Sequence, residues 1–563
     1  MTARRDLIRR LKDREFDVLV LGGGVTGVGV ARDAALRGLT VALVDKGDLG
    51  SGTSQTSSKL IHGGLRYLEQ MQFGLVFEGT RERAMLMRNA PHLARPLPFV
   101  FPVYGDGRVG MFQLAVGMWA YDVLAMFRNY RRHKMLTRGR LIRSEPALND
   151  AGLKGGALYY DCMTDDARLT LESGLDAEEH GAVIATYCEA TSFLHDEAGR
   201  TRGLLVRDGL DDHGLTGQGT PSEPFEVKAR VTIVAAGPWT DKVLEPKTGK
   251  KLLRPTKGTH LVLDGPRLPV QHAIVLTSVR DGRVLFAIPW GSRTIIGTTD
   301  TDEQDAPDCV EATRADVDYL LETANHYFPR MKATPQDVLS TWSGLRPLIG
   351  GQEGATASDV SREHEIISVD PGLLAIAGGK LTTFRLMGEQ AVDRALEKMG
   401  AGRVSREPSR SAEVPLPGAR DPGALRDLKA YAENLAREHA LDPDVAMHLT
   451  RTYGLRARHV LAAGQAAGVR PGRLVPDLPY LVDEVVFAAR HDKAQRLDDV
   501  LRRRTLVFLQ AKDQGLGCAP EAGRIMGEVL GWDEARVDLE VARYGDLVAR
   551  SRKFREGATA PVA

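Results

Sequence analysis

The chain has 563 residues, of which 43% are hydrophobic and 26% charged, a length and balance that predict two or three folded domains and exclude a disordered polymer. A formal net charge of +1 leaves no global field to gather a polyanion, so no nucleic-acid partner is expected. Cys162, Cys188, Cys309 and Cys518 stand far apart without metal-ligand spacing, which predicts buried thiols in a reducing, cytoplasmic setting and no metal site.

The N-terminal "MTARRDLIRRLKDRE" lacks the apolar core of a secretory signal and reads as a short, basic, weakly amphipathic segment. From Phe16 to about Gly400 the chain is glycine-rich, with β-type apolar runs broken by helices. Its first part, "FDVLVLGGGVTGVGVARDAALRGLTVALVDKGDLG", predicts a strand, a turn carrying Gly22, Gly24 and Gly27, a helix to Arg37, and a second strand ending in Asp45. Gly22 permits the tight turn, Gly24 the approach of a pyrophosphate, and Gly27 close helix–strand packing. The helix N-terminus offers N–H groups to the phosphates, and Asp45 stands where a carboxylate can accept from ribose hydroxyls.

Downstream, "VGMFQLAVGMWAY" (Val109–Tyr121) is the longest uncharged apolar stretch and falls short of the roughly 20 residues that span a bilayer. With Arg128, Arg131, Arg132 and Lys134 following it, this stretch reads either as an interfacial helix or as a domain-packing one. "VKARVTIVAAGPWTD" (Val227–Asp241) is a strand closing on Ala-Ala-Gly, and "GLLAIAGGKLTTFRLMGEQAVDRAL" (Gly372–Leu396) is a strand, a Gly378-Gly379 turn and a long helix. A second helix N-terminus returning so late to the nucleotide site favours FAD over NAD, because its dipole stabilises charge on a reduced flavin. A polar, proline-bearing linker is expected at 401–423. A helical domain follows over 424–550, in which Arg502, Arg503 and Arg504 read as a solvated face or part of a cap.

These motifs, with "TSQTSSKLIHGGLRYLE", "YYDCMTDDARL", "KGTHLVL", "FAIPWGSRTIIGTTDTD" and "SGLRPL", resemble those of FAD-dependent glycerol-3-phosphate dehydrogenases over roughly the first 390 residues. The resemblance implies an α/β Rossmann-like FAD-binding domain of the D-amino-acid and glycine oxidase kind, an antiparallel substrate sheet and an all-α C-terminal cap. The nucleotide parts are expected at about 16–90, 150–245 and 340–400, interleaved with substrate parts at about 91–149 and 246–339. The implied reaction oxidises sn-glycerol 3-phosphate to dihydroxyacetone phosphate. Electrons then pass to a membrane quinone from a peripheral position on the inner face of the cell membrane, with a homodimer as a further expectation. A glycerol-3-phosphate oxidase using O2, an amine or amino-acid oxidase on the same fold, and a flavoprotein without redox turnover are the competing readings. Only Pro347–Ser361 separate Arg346 from Arg362, where the oxidase branch carries a long insertion, and this favours the dehydrogenase.

Such a substrate needs fixed cations for its phosphate and a base for its hydroxyl. The resemblance places Arg66, Tyr67, His260 and Arg362 against substrate and Arg346 as the phosphate clamp. Lys380 either holds the phosphate or neutralises reduced flavin. His62 is the expected base, since a neutral imidazole titrates near working pH. The Gly63-Gly64 pair is expected to let backbone run against the cofactor, behind a donor-rich loop of Ser51, Thr53, Ser54, Ser57 and Ser58. Ala236, Gly237, Trp239, Gly378, Gly379, Leu381 and Thr382 complete the expected cofactor contacts.

Overall fold

The computed structural model describes residues 2–69, 71–105, 107–210, 221–303, 306–350, 363–400 and 407–556. Phe16–Leu21, an almost unbroken apolar run, is buried on both faces, as a central parallel strand must be. It pairs in parallel with Val41–Val44 and with Phe225–Val234. Val183–Ala185 and Leu373–Gly378 extend this parallel ladder on its two sides. Antiparallel strands Cys188–His195, Thr201–Asp208 and His364–Asp370 complete the eight-stranded sheet. Helices Val25–Leu36, Asp166–Glu179 and Phe384–Met399 cover one face. On the other face lies the N-terminal helix Thr2–Lys12, whose Leu7, Ile8 and Leu11 pack into the core while Arg4 pairs with Asp208 at 2.6 Å. The apolar side of that segment is therefore consumed within the protein.

A second sheet of ten strands is antiparallel except where Ala273–Thr277 runs parallel to Arg95–Tyr104. Its long central pair is Leu253–Asp264 with Val338–Ile349. Leu153–Met163 and Val338–Ile349, which the sequence reading assigns to the nucleotide part, both pair into this second sheet. Their apolar alternation is satisfied there by antiparallel partners, and the chain re-enters the nucleotide sheet only at Val183 and at His364.

The helices between Leu428 and Ser551 form the third layer, sharing one apolar core with the second sheet. Residues 407–423, expected as a linker, are docked: Arg32 donates to the carbonyls of Ser411 at 2.9 Å and Val414 at 2.6 Å, and Gly418 N–H donates to Glu172. Nor are Arg503 and Arg504 solvated. They are 3% and 2% exposed, and both guanidinium groups reach Asp48, in the loop just beyond Asp45, at 2.6 Å and 2.5 Å. A six-residue π-helix, Asp499–Arg504, lets two consecutive arginines face one carboxylate. The two cations hold the Asp48 carboxyl below the usual carboxylate range despite its burial.

Asp48→Asn leaves two buried guanidinium groups without their shared counter-charge. It should destabilise the protein by about 3–5 kcal/mol, seen as a lowered melting temperature, whereas Glu197→Gln on the exposed surface should not.

Candidate active site and nucleotide cradle

At the carboxyl edge of the parallel ladder, loops from distant parts of the chain enclose a cavity of about 1310 Å³. The fingerprint turn builds one wall. A side chain on Gly27 would strike the Gly22 carbonyl at 1.8 Å and one on Gly22 the Ala235 carbonyl at 2.5 Å, so this crossing of helix and strands tolerates only glycine. Gly22 and Gly24 line the cavity while Gly27 packs behind them. Asp45 lines it as well, accepting from Gly23 N–H at 2.5 Å and Gly47 N–H at 2.7 Å. Burial pushes its carboxyl up to about 6, against the pull of those two N–H donors.

The Ser/Thr loop divides its hydroxyls. Ser54 Oγ accepts from Val25 N–H at 2.8 Å at the start of helix Val25–Leu36 and keeps its own hydrogen to donate. Thr53 donates to the Leu345 carbonyl at 2.7 Å, tying the loop to the second sheet. Ser57 also lines the cavity, while its N–H and hydroxyl donate to Asp166 at 3.0 and 2.7 Å. Ser58 Oγ meets His260 Nε2 at 2.8 Å. Ser51, Trp239, Ala236 and Gly237 line the cavity, the last two where Phe225–Val234 ends.

From the late segment, Gly378, Gly379, Lys380, Leu381 and Thr382 all line the cavity at the N-terminal approach to Phe384–Met399. Thr382 Oγ1 accepts from His62 N–H at 3.2 Å and lies 3.3 Å from the His62 carbonyl, which pins the two loops together. Lys380 Nζ stands 4.0 Å over the Tyr67 ring. His62, Gly64, Tyr67, His260 and Arg346 share this cavity. Gly63 does not line it. A side chain there would meet Tyr121 Oη and Thr80 Cγ2, both at 2.4 Å, so Gly63 serves packing behind the loop. Arg66 opens the short helix Arg66–Glu69, its side chain lying outside the described residues, as does the whole of Arg362.

Arg346 donates to Asp300 Oδ1 at 2.8 Å and to Thr298 Oγ1 and the Thr299 carbonyl, both at 3.2 Å. A side chain on Gly258 would lie 2.4 Å from its Nη2, so glycine makes room for the guanidinium on the strand. Asp300, Lys59, Asp166 and Trp342 all belong to the site or its support, and sequence reading passed over them. The Asp-Asp pair of "YYDCMTDDARL" and the closing aspartates of "GTTDTD" were the available signals. Among the described residues no cluster suited to a metal ion occurs.

The cradle fits a dinucleotide. Side-chain-free backbone at Gly22 and Gly24, the start of one helix and the approach to a second meet in one cavity. A model of the FAD dependent oxidoreductase family matches residues 17–394, and a model of the C-terminal domain of alpha-glycerophosphate oxidase matches 409–537. The aerobic glycerol-3-phosphate dehydrogenase of Staphylococcus haemolyticus is 37% identical over 90% of this chain and 89% of its own. The Bacillus halodurans glycerol-3-phosphate dehydrogenase complexed with FAD superposes with a TM-score of 0.78 at 30% identity, covering 99% of both chains. Glycine oxidase of Geobacillus kaustophilus shares the fold over 70% of this chain and 99% of its own, with a TM-score of 0.51 and 21% identity. With FAD as its cofactor, the chain belongs to the family of FAD-dependent glycerol-3-phosphate dehydrogenases.

Proposed function

We propose that this protein oxidises sn-glycerol 3-phosphate to dihydroxyacetone phosphate and delivers the electrons to a quinone at a bilayer surface. The observation that carries the reading is the single cavity in which the nucleotide cradle meets His62, Tyr67, Arg346 and Lys380. When bound, FAD supplies the acceptor for hydride from the carbinol carbon and later gives up two electrons. The residues of the chain do the rest. His62 takes the hydroxyl proton. Arg346, locked by Asp300 and Thr298, presents directed N–H donors to the phosphate. Lys380 adds a second cation to the cavity beside the Arg346–Asp300 pair, and the Tyr67 ring lies 4.0 Å beneath its ammonium.

An apolar arm supports the quinone half of the reading. Leu68, Phe73, Val109, Val116 and Ala120 are among the residues that line the cavity. Helix Met111–Leu124 presents Phe112, 83% exposed, Trp119 and Val123 outward, and Met126, Phe127 and Tyr130 follow. Arg131 and Arg132 lie over the Tyr130 and Phe127 rings, a mixture of aromatic and basic groups suited to an anionic lipid interface. Among the described residues no helix is long and apolar enough to cross a membrane, so the reading is of a surface contact. A second reading, O2 as acceptor, draws on the oxidase for which the C-terminal family model is named. Comparing O2 consumption with quinone reduction in the same preparation separates the two.

Anaerobic addition of sn-glycerol 3-phosphate should bleach the flavin band. His62→Ala should slow that step by about 10²- to 10⁴-fold with FAD retained, and unchanged bleaching would remove His62 from the base role. Arg346→Ala should raise KM and lower kcat/KM for the phosphorylated substrate far more than for glycerol; equal losses would show that Arg346 does not read the phosphate. The protein should float with anionic vesicles, and the double variant Arg131→Glu, Arg132→Glu should stay behind; failure of the unaltered protein to float at any salt concentration would reject the lipid contact.

A further inference from the structure

His260 is a buried wall of the cavity with an unusual set of neighbours. Its ring stacks on Trp342 with centroids 4.9 Å apart and planes inclined by 12°. Trp342 in turn donates from Nε1 to the Ser57 carbonyl at 3.1 Å. Beneath this stack lies Lys59, 1% exposed, its ammonium 5.5 Å from the Trp342 ring and 5.9 Å from that of Trp290. Lys59 Nζ donates to Asp166 Oδ1 at 2.6 Å and to the Gln55 carbonyl at 3.3 Å. The other Asp166 oxygen accepts both groups of Ser57. Lys59 itself adopts φ 56°, a left-handed conformation that a lysine takes only when its surroundings impose it. One carboxylate and one ammonium thus hold the Ser57–Ser58 turn, the tryptophan and the histidine in a closed ring of contacts.

We infer that Lys59, with its counter-ion Asp166, is the positioning residue for the Ser58–His260 hydrogen bond on the cavity wall. The inference uses the proposed reaction only as its kinetic readout. The ring of His260 has one partnered nitrogen. Nε2 meets Ser58 Oγ, while Nδ1 is sealed from solvent with no hydrogen-bond partner among the described residues. An imidazolium would carry a proton on both nitrogens and leave one buried N–H unpaired, which is costly. The charged groups around the ring are Lys59 on the loop side and Arg346 on the neighbouring strand, backed respectively by Asp166 and Asp300. Trp342, Ser58 and the Gly297 backbone close the remaining sides. Burial, then the Arg346 and Lys59 cations, hold His260 well below the ordinary imidazole range. The neutral tautomer with its proton on Nε2 donates to Ser58 Oγ and leaves only a bare nitrogen on the sealed side, so that it avoids a buried unpaired N–H.

The test is a titration. In the FAD-loaded wild-type protein, the His260 ring signal in histidine-labelled NMR, assigned by its loss in His260→Gln, should titrate well below the ordinary value of about 6.5. Titration at the ordinary value would overturn the proposal without any further variant. Lys59→Met removes one of the two cations beside the ring and leaves Asp166 negative. Both the NMR titration and the acid limb of anaerobic flavin reduction should move upward by about one pH unit. Lys59→Arg should return both toward wild type. An unmoved limb in Lys59→Met, or a Lys59→Arg variant as displaced as Lys59→Met, would refute the positioning role. Should Lys59→Met fail to fold, Asp166→Asn gives the opposite sign, a downward shift, and an upward or absent shift overturns the proposal equally. If wild-type protein takes no electrons from sn-glycerol 3-phosphate, the functional reading falls while the NMR titration still decides the role of Lys59.

Discussion

Every functional loop in this protein owes its place to a parallel backbone ladder. Leu21 lies opposite Val234, and Val234 opposite Ala375, so three strands far apart in the chain end side by side. Because they run in the same direction, the turns that follow them all leave from one edge. That edge receives the fingerprint glycines, the Ala236-Gly237 turn and the Gly378–Thr382 segment together. The second sheet meets it with its own register. His260 sits opposite Trp342 on the paired strands, and Gly258 opposite Gly344, the former leaving room for the Arg346 guanidinium. The nucleotide cradle and the wall that carries Arg346 are therefore consequences of two sets of backbone hydrogen bonds.

Charge buried at the junctions of the layers refines that frame. Lys59–Asp166 joins the loop before His62 to the helix that covers the nucleotide sheet. Arg503 and Arg504 join the helical layer to Asp48 beside the cradle. Pairs of this kind recover little net stability, since desolvation offsets most of their attraction, but each penalises any arrangement that leaves one member alone. They make the geometry of the cavity edge depend on the helical layer, whose described residues do not line the cavity. The helical layer, to which no chemistry is assigned, thus still shapes the loop beyond Asp45.

The membrane-facing reading divides two basic segments that look alike in sequence. The apolar residues of Thr2–Lys12 are spent on the nucleotide sheet. Helix Met111–Leu124 buries Leu114, Met118 and Tyr121 in the core, with Met111 and Leu124 packed against it, and leaves Phe112, Trp119 and Val123 outside. Arg83, Tyr121, Asp161 and the Gly63 N–H form one hydrogen-bonded group between that helix and the His62 loop, so the exposed face is anchored to the site.

The fingerprint with its strand, helix and second strand, the late Gly-Gly turn before a helix, and the helical tail were all legible in the amino-acid order. They depend on backbone conformation and local apolar spacing, which short stretches of sequence encode. The strand from Leu153, the docking of 407–423 and the burial of Arg503 and Arg504 were not legible, because each is decided by a partner remote in sequence, tens of residues away for the strand and several hundred for the other two. For the same reason the order "SSK" announces two hydroxyls and a cation, but only the fold turns Ser57 to Asp166, Ser58 to His260 and Lys59 inward. A side chain's type is written locally, whereas what it faces is settled by the pairing of sheets that the chain builds elsewhere.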